Sequence, residues 1–202
     1  MASAAPTHAV RFPALREFGG IAATDIEQSK HLHDLVSICS KLPAVSVDQM
    51  VGVTRIVSHS PFKGHAPIHK LAATLAFSDQ QVVALVDFLR LLDLFEIEDG
   101  TVSLTDHGTV FARANMTERR KIFADGLVMR IPIMRRMVDR MALEPTRSVA
   151  RTRLFADLVP HLSQDDSERL INHVLGWARY ADLISVDASD GTVTLKARRP
   201  TA

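Results

Sequence analysis

Apolar positions recur at helical spacing over most of the chain, and the gaps between them carry capping and turn residues. Between Ile26 and Cys39, the residues Leu32, Leu35, Val36 and Ile38 fall on or near one face, which predicts a short helix ended at Leu42-Pro43. Ser46 followed by Gln49 is a capping-box pattern, opening a helix with Met50, Val53 and Val57 inward. Ser60 to Gly64 reads as a loop, and Pro67 suits the first position of a second helix, where its missing N–H costs nothing. That helix carries Ile68, Leu71, Ala72 and Leu75 as its stripe. Ser78 with Gln81 repeats the capping box before a third helix through Val82, Leu85, Val86, Leu89 and Leu92.

Period two then replaces the helical period. Leu94 to Ile97 and Thr101 to Leu104 alternate around Asp99-Gly100, a pair that fits the positive φ angles of a type I′ hairpin turn. Three helices followed by a hairpin is the order of a winged helix. Downstream, Thr105 caps a short helix through Val110 and Phe111, and Thr117 caps another (ERRKIFADGLVM). Pro132 begins a helix with Met134, Met137, Val138 and Met141 at helical spacing, closed by Pro145. A further helix is expected over roughly 148–159.

The last segment resembles the first. Phe77-Ser78 corresponds to Leu162-Ser163, Asp93-Leu94 to Asp182-Leu183, and Gly100-Thr101-Val102 to Gly191-Thr192-Val193. The cap-to-Asp spacing grows by about one helical turn, which keeps the buried face in direction. The second hairpin turn grows by two residues, an even change that preserves strand facing. The expected fold is therefore mainly α with small β-hairpins (α+β), in two tandem winged-helix-like units at 43–105 and 132–196. Connecting helices fill 106–131, an N-terminal extension with a helix precedes at 1–42, and a tail follows at 197–202.

Composition narrows the function classes. The formal charge of +1 over 202 residues gives no overall field toward nucleic acid or membrane. The single cysteine, Cys39, excludes an internal disulfide and a cysteine-built zinc cluster. The N-terminus lacks the apolar run of a signal peptide, and no run reaches the ~20 residues that span a bilayer. A cytoplasmic protein without membrane insertion is the expectation.

The charge is uneven, however. Ten basic residues stand between Thr117 and Arg153: Arg119, Arg120, Lys121, Arg130, Arg135, Arg136, Arg140, Arg147, Arg151 and Arg153. Four acids oppose them, so this segment is a candidate anion- or partner-binding face, against the alternative of a solvated and internally paired one. Trp177, Arg179 and Tyr180 form an aromatic signature on one helix, with Trp177 expected to anchor the core of the second unit and Arg179 to point toward Asp182 or solvent. His59, His65 and His69 are weak metal candidates, because Pro67 interrupts the i, i+4 spacing a helical metal pair needs. No cofactor is expected. No Gly-x-Ser-x-Gly elbow or phosphate-cradling Gly-x-x-x-x-Gly-Lys-Ser/Thr loop is present, so the chain is not expected to be an enzyme. DNA reading is disfavoured too: the third helices begin Ser78-Asp79-Gln80-Gln81 and Ser163-Gln164-Asp165-Asp166, acids that would face phosphate.

With these residues in view, the chain resembles the C-terminal AAA-associated domain, found after the ATPase in importers of the nitrate, sulfonate and bicarbonate type. The resemblance rests on LPAVSVDQMVG (42–52), residues 69–94, VSLTDHG (102–108), ERRKIFA (118–124) and WARYADLISVD (177–187), and extends from about Leu42 to Leu195. It implies a non-catalytic accessory or regulatory module acting by protein–protein contact. The partner it implies is an ABC-type anion importer ATPase, and a second copy of the chain is the other protein partner expected. The alternatives are a winged-helix DNA-binding regulator, and a small-anion or nucleotide sensor using the arginine-rich 119–153 segment.

Overall fold

The computed structural model describes residues 30, 32–37, 39, 47–159 and 162–196. Helical residues 32–37 form α1. The order then runs α2 (Val47–Ser58), β1 (His65–Pro67), α3 (Ile68–Leu75), α4 (Asp79–Leu91), β2 (Phe95–Glu98) and β3 (Thr101–Leu104). After α5 (Asp106–Arg113) and α6 (Met116–Arg130) the same order returns: α7 (Pro132–Ala142), β4 (Ser148–Ala150), α8 (Arg151–Leu158), α9 (Gln164–Tyr180), β5 (Ile184–Val186) and β6 (Thr192–Leu195). The protein is mainly helical, with two three-stranded antiparallel sheets ordered β1-β3-β2 and β4-β6-β5.

The repeat holds down to single hydrogen bonds. After each third helix an aspartate takes the left-handed conformation, Asp93 at φ 61° and Asp182 at φ 57°. The next amide reaches back in a Schellman-type closure, Leu94 N–H to Leu89 O and Leu183 N–H to Ala178 O. Both sheets are tied in the same way: Leu104 N–H donates to Gly64 O, and Leu195 N–H donates to Arg147 O. Asp99 and Gly100 have φ 47° and 73°, as the type I′ turn requires. In the second hairpin Asp187 N–H pairs with Thr192 O, leaving a turn two residues longer. Helix α9 has 17 residues against 13 in α4, the extra turn anticipated from spacing.

Three details differ from the sequence reading. Pro67 closes β1 and is the N-cap of α3, with ψ 134°, instead of occupying the first helical position. Residues 148–150 are strand, so α8 starts at Arg151. These two strands are three residues long, too short to show a period, and exist only because β3 and β6 pair with them. The cap of α6 is Asn115, not Thr117: its side chain accepts from Glu118 N–H, and Glu118 accepts from Asn115 N–H. The proposed Ser46 cap, residues 1–29 of the extension and the 197–202 tail lie outside the described residues.

A threonine and a glycine fasten the first unit to the connecting helices. Thr105 Oγ1 donates to Asp93 O at 2.6 Å and accepts from Gly108 N–H at 2.9 Å, capping α5 while holding the end of α4. Gly108 lies so close to this junction that a Cβ there would sit 1.9 Å from Leu94 O. Leu35 of α1 and Cys39 are both buried. Burial pushes the Cys39 thiol up to about 12, with Arg169 acting weakly the other way. His173 of α9 is lowered, chiefly by burial, with a hydrogen bond to the Cys39 backbone opposing.

Two outcomes are expected. Gly108→Ala should lower stability by about 1–3 kcal/mol or more, whereas Gly126→Ala, whose added methyl would meet Leu92 at an ordinary 3.6 Å, should change the urea midpoint little. Equal midpoints for both variants would contradict the close approach. The native Cys39 thiol should be unreactive toward a disulfide reagent at pH 8 and react fully once urea unfolds the chain; rapid native reaction would contradict its burial.

Candidate functional site

In a DNA-reading winged helix the third helix enters the major groove. Here the two third helices are turned toward each other. Phe88 of α4 stacks on Trp177 of α9 with ring centroids 4.2 Å apart and planes inclined by 26°. Phe123 of α6 meets Phe88 edge-on at 6.4 Å and Tyr180 edge-on at 5.2 Å. Phe111 of α5 continues the chain of rings at 6.4 Å from Phe123. Trp177, Phe88, Phe123 and Phe111 are all fully buried. Each such aromatic pair contributes about 0.5–1.5 kcal/mol beyond its area. Trp177 Nε1 finds no hydrogen-bond partner among the described residues. The indole is therefore held by its faces.

Helix α4 also packs on α3 and β2, which together with the stack covers most of it. Val82, Ala84, Leu85, Val86, Phe88 and Leu89 are buried, leaving Asp79, Gln80, Val83 and Arg90 exposed. The wings are acidic. Glu96, Glu98 and Asp99 are exposed at the first hairpin, and Asp187 and Asp190 at the second. Asp187 is held below its ordinary range by hydrogen bonds from the Ser189 side chain and backbone, so it remains charged.

The arginine-rich segment does not converge on one place. Arg119 donates to Ala114 O at 2.7 Å and lies over the Phe111 ring, closing the end of α5. Arg120 lies over the Tyr180 ring. Arg130 pairs with Asp93 at 2.8 Å, offsetting a carboxylate at a helix C-terminus. Arg135 donates to Val128 O and Met129 O at the end of α6, and Arg136 to Asp157 O. Arg140 bridges Glu144 at 2.7 Å and Asp157 at 3.0 Å, and those bonds raise its pKa. Arg153 also approaches Glu144. Arg151 donates to Asn172 Oδ1 at 2.6 Å and covers Phe155. Arg147 takes a left-handed backbone and gives its carbonyl to Leu195. Arg179 is exposed on α9, beside the buried Trp177 and half-buried Tyr180.

The histidines are also dispersed. His59 Nδ1 donates to Arg55 O at 2.7 Å, His69 is exposed on α3, and His65 Nδ1 meets Ser103 Oγ at 2.8 Å. The His65–Ser103 contact is a cross-strand pair on the outer face of a sheet. Its counterpart in the second sheet is Ser148–Thr194, also 2.8 Å, so both units use this position to join strands. Among the described residues no three His, Cys, Asp or Glu side chains are grouped to hold a metal ion. No helix among them is long and apolar enough to cross a membrane.

Among the open grooves that the described residues line are three. One of about 530 Å³ lies between α8 and α9, at Arg151, Phe155 and Ser167. Another of about 580 Å³ lies between α5 and α6, at Val110, Lys121 and Ile122. The third, about 500 Å³, lies between α2 and α3, at Arg55, Ile56, Phe62 and Thr74. Sequence reasoning singled out none of them, nor Phe88 and Phe123 as partners of the Trp177 signature. The signal for Phe88 was the nearly all-round apolar character of α4, which asks for a second packing surface.

Comparison with known proteins fits this architecture. No curated protein and no solved structure gives a significant match. The sequence model of one family, described as the C-terminal AAA-associated domain, matches residues 69–187, from α3 through β5. The match is narrower at both ends than the 42–195 span of the resemblance, yet it takes in the Thr105–Gly108 fastening, the ring cluster and both third helices. Covering more than half of the chain, it settles the classification: this protein is a member of the C-terminal AAA-associated domain family.

Proposed function

We propose that the protein is a non-catalytic accessory or regulatory module that works by protein–protein contact, with an ABC-type anion importer ATPase as its partner. The observation that carries this reading is the Phe88–Trp177 stack. It turns one face of α4 and one face of α9 inward, and the starts that stay exposed carry Asp79 and Asp165, acids that would meet phosphate. The exposed acids of both wings support the same conclusion, since a phosphate backbone would meet Glu96, Glu98 and Asp99. Membership of a family named for its association with AAA ATPases supports the partner class. We further read 43–105 and 132–196 as two winged-helix-like units, with 106–131 as the joint between them. The internal partners of Arg119, Arg130, Arg135, Arg140 and Arg151 give a small-anion sensor in that segment no support.

Fluorescence anisotropy against labelled mixed-sequence duplex DNA, titrated at several salt concentrations, should show no saturable binding even at low salt. Micromolar or tighter binding that weakens steeply with salt would replace this reading with a DNA-binding regulator. The positive arm is co-elution on size exclusion with an anion importer ATPase subunit from the same cell.

A further inference from the structure

A group of cations without a carboxylate partner lies in the first part of the chain. From Gln49 to Ser78 the chain contains no aspartate or glutamate, but it contains Arg55, Lys63 and Lys70 together with His59, His65 and His69. All six are exposed. None of Arg55, Lys63 and Lys70 has a carboxylate within ion-pairing distance among the described residues. In 119–153, by comparison, Arg130, Arg140 and Arg153 each have one, and Arg119, Arg135, Arg136 and Arg151 donate to carbonyl or amide oxygens.

These cations flank the α2–α3 groove. Arg55 lines it directly, Lys63 follows the lining residue Phe62, and Lys70 stands one turn before the lining residue Thr74. The floor is apolar, with Ile56, Pro61 and Phe62. On the α2 side the wall is Gly52, where an added Cβ would meet nothing within 4 Å. A glycine inside a helix is less favourable than an alanine, and this one leaves the groove open.

We infer that the α2–α3 face docks an acidic segment of a protein partner, which sets one large apolar side chain into the groove between Gly52 and Phe62. The inference rests on the protein-contact reading above and locates its surface. Charge complementarity selects the occupant: three unpaired cations on an acid-free stretch attract carboxylates, and the apolar floor accepts a side chain that a phosphate backbone lacks. Three charges are also few against the roughly six to ten phosphate contacts of a strongly salt-dependent DNA binder.

The test uses the full chain and three labelled probes: a random glutamate–tyrosine copolymer, poly-glutamate, and mixed-sequence duplex DNA. The copolymer should bind more tightly than poly-glutamate, and DNA most weakly. Combined Arg55→Glu, Lys63→Glu and Lys70→Glu should weaken copolymer binding about tenfold or more, while Arg179→Glu, an exposed charge on α9, leaves it unchanged. Gly52→Met, which fills the groove from an open position, should abolish the preference for copolymer over poly-glutamate. Buried-type Trp177 emission verifies that each variant is folded. Copolymer binding unaffected by the triple reversal, or absent at low salt, would overturn this surface while leaving the co-elution result to judge the module reading. DNA binding tighter than copolymer binding would overturn both.

Discussion

One contact ties α4 to α9, the stacking of Phe88 on Trp177. Phe123 of α6 meets Phe88 edge-on and Tyr180 edge-on, so three helices converge on these rings. The cost is visible at Trp177 Nε1, a buried donor without a partner among the described residues, worth about 1–3 kcal/mol against the fold. Ring stacking and the burial of both helix faces offset it. The joint also explains why α4 is apolar on most sides: it must face its own unit and the neighbouring one at once.

Legibility followed the range of the interactions. Local chemistry was readable: the Ser78–Gln81 capping box, the Thr105 cap, the Asp99-Gly100 turn and the break at Pro132 all stand where side chain and backbone lie within a few residues of each other. The repeat was readable because both units use the same left-handed aspartate and hairpin glycine. Strands β1 and β4 were not, since three residues paired across 30 or more positions leave no local pattern. Nor were the destinations of the arginines. Arg130 finds Asp93 and Arg140 finds Asp157 only after the helices have packed, so a cluster in sequence becomes a set of separate fastenings in space. Thr117 was read as the cap of α6, but the reciprocal bond between Asn115 and Glu118 makes Asn115 the cap.

The same packing redistributes charge. Acids collect on the hairpins, most arginines of 119–153 are engaged inside the molecule, and the partner-free cations of the first unit face outward around an apolar groove. The Thr105–Gly108 fastening contributes by setting α5 and α6 against the first unit, which in turn brings Phe123 to the joint.

Trp177 is the only tryptophan, so its fluorescence reports the joint itself. The most direct test is urea unfolding followed in parallel by Trp177 emission and by far-ultraviolet circular dichroism, in the native sequence and in Phe88→Ala. If the stack unites the two units, both probes trace one coincident transition, and Phe88→Ala moves both by the same amount, about 3–5 kcal/mol. A tryptophan transition that separates from the loss of helix, or emission and stability untouched by Phe88→Ala, would show that the units fold independently and that the joint is not what holds them.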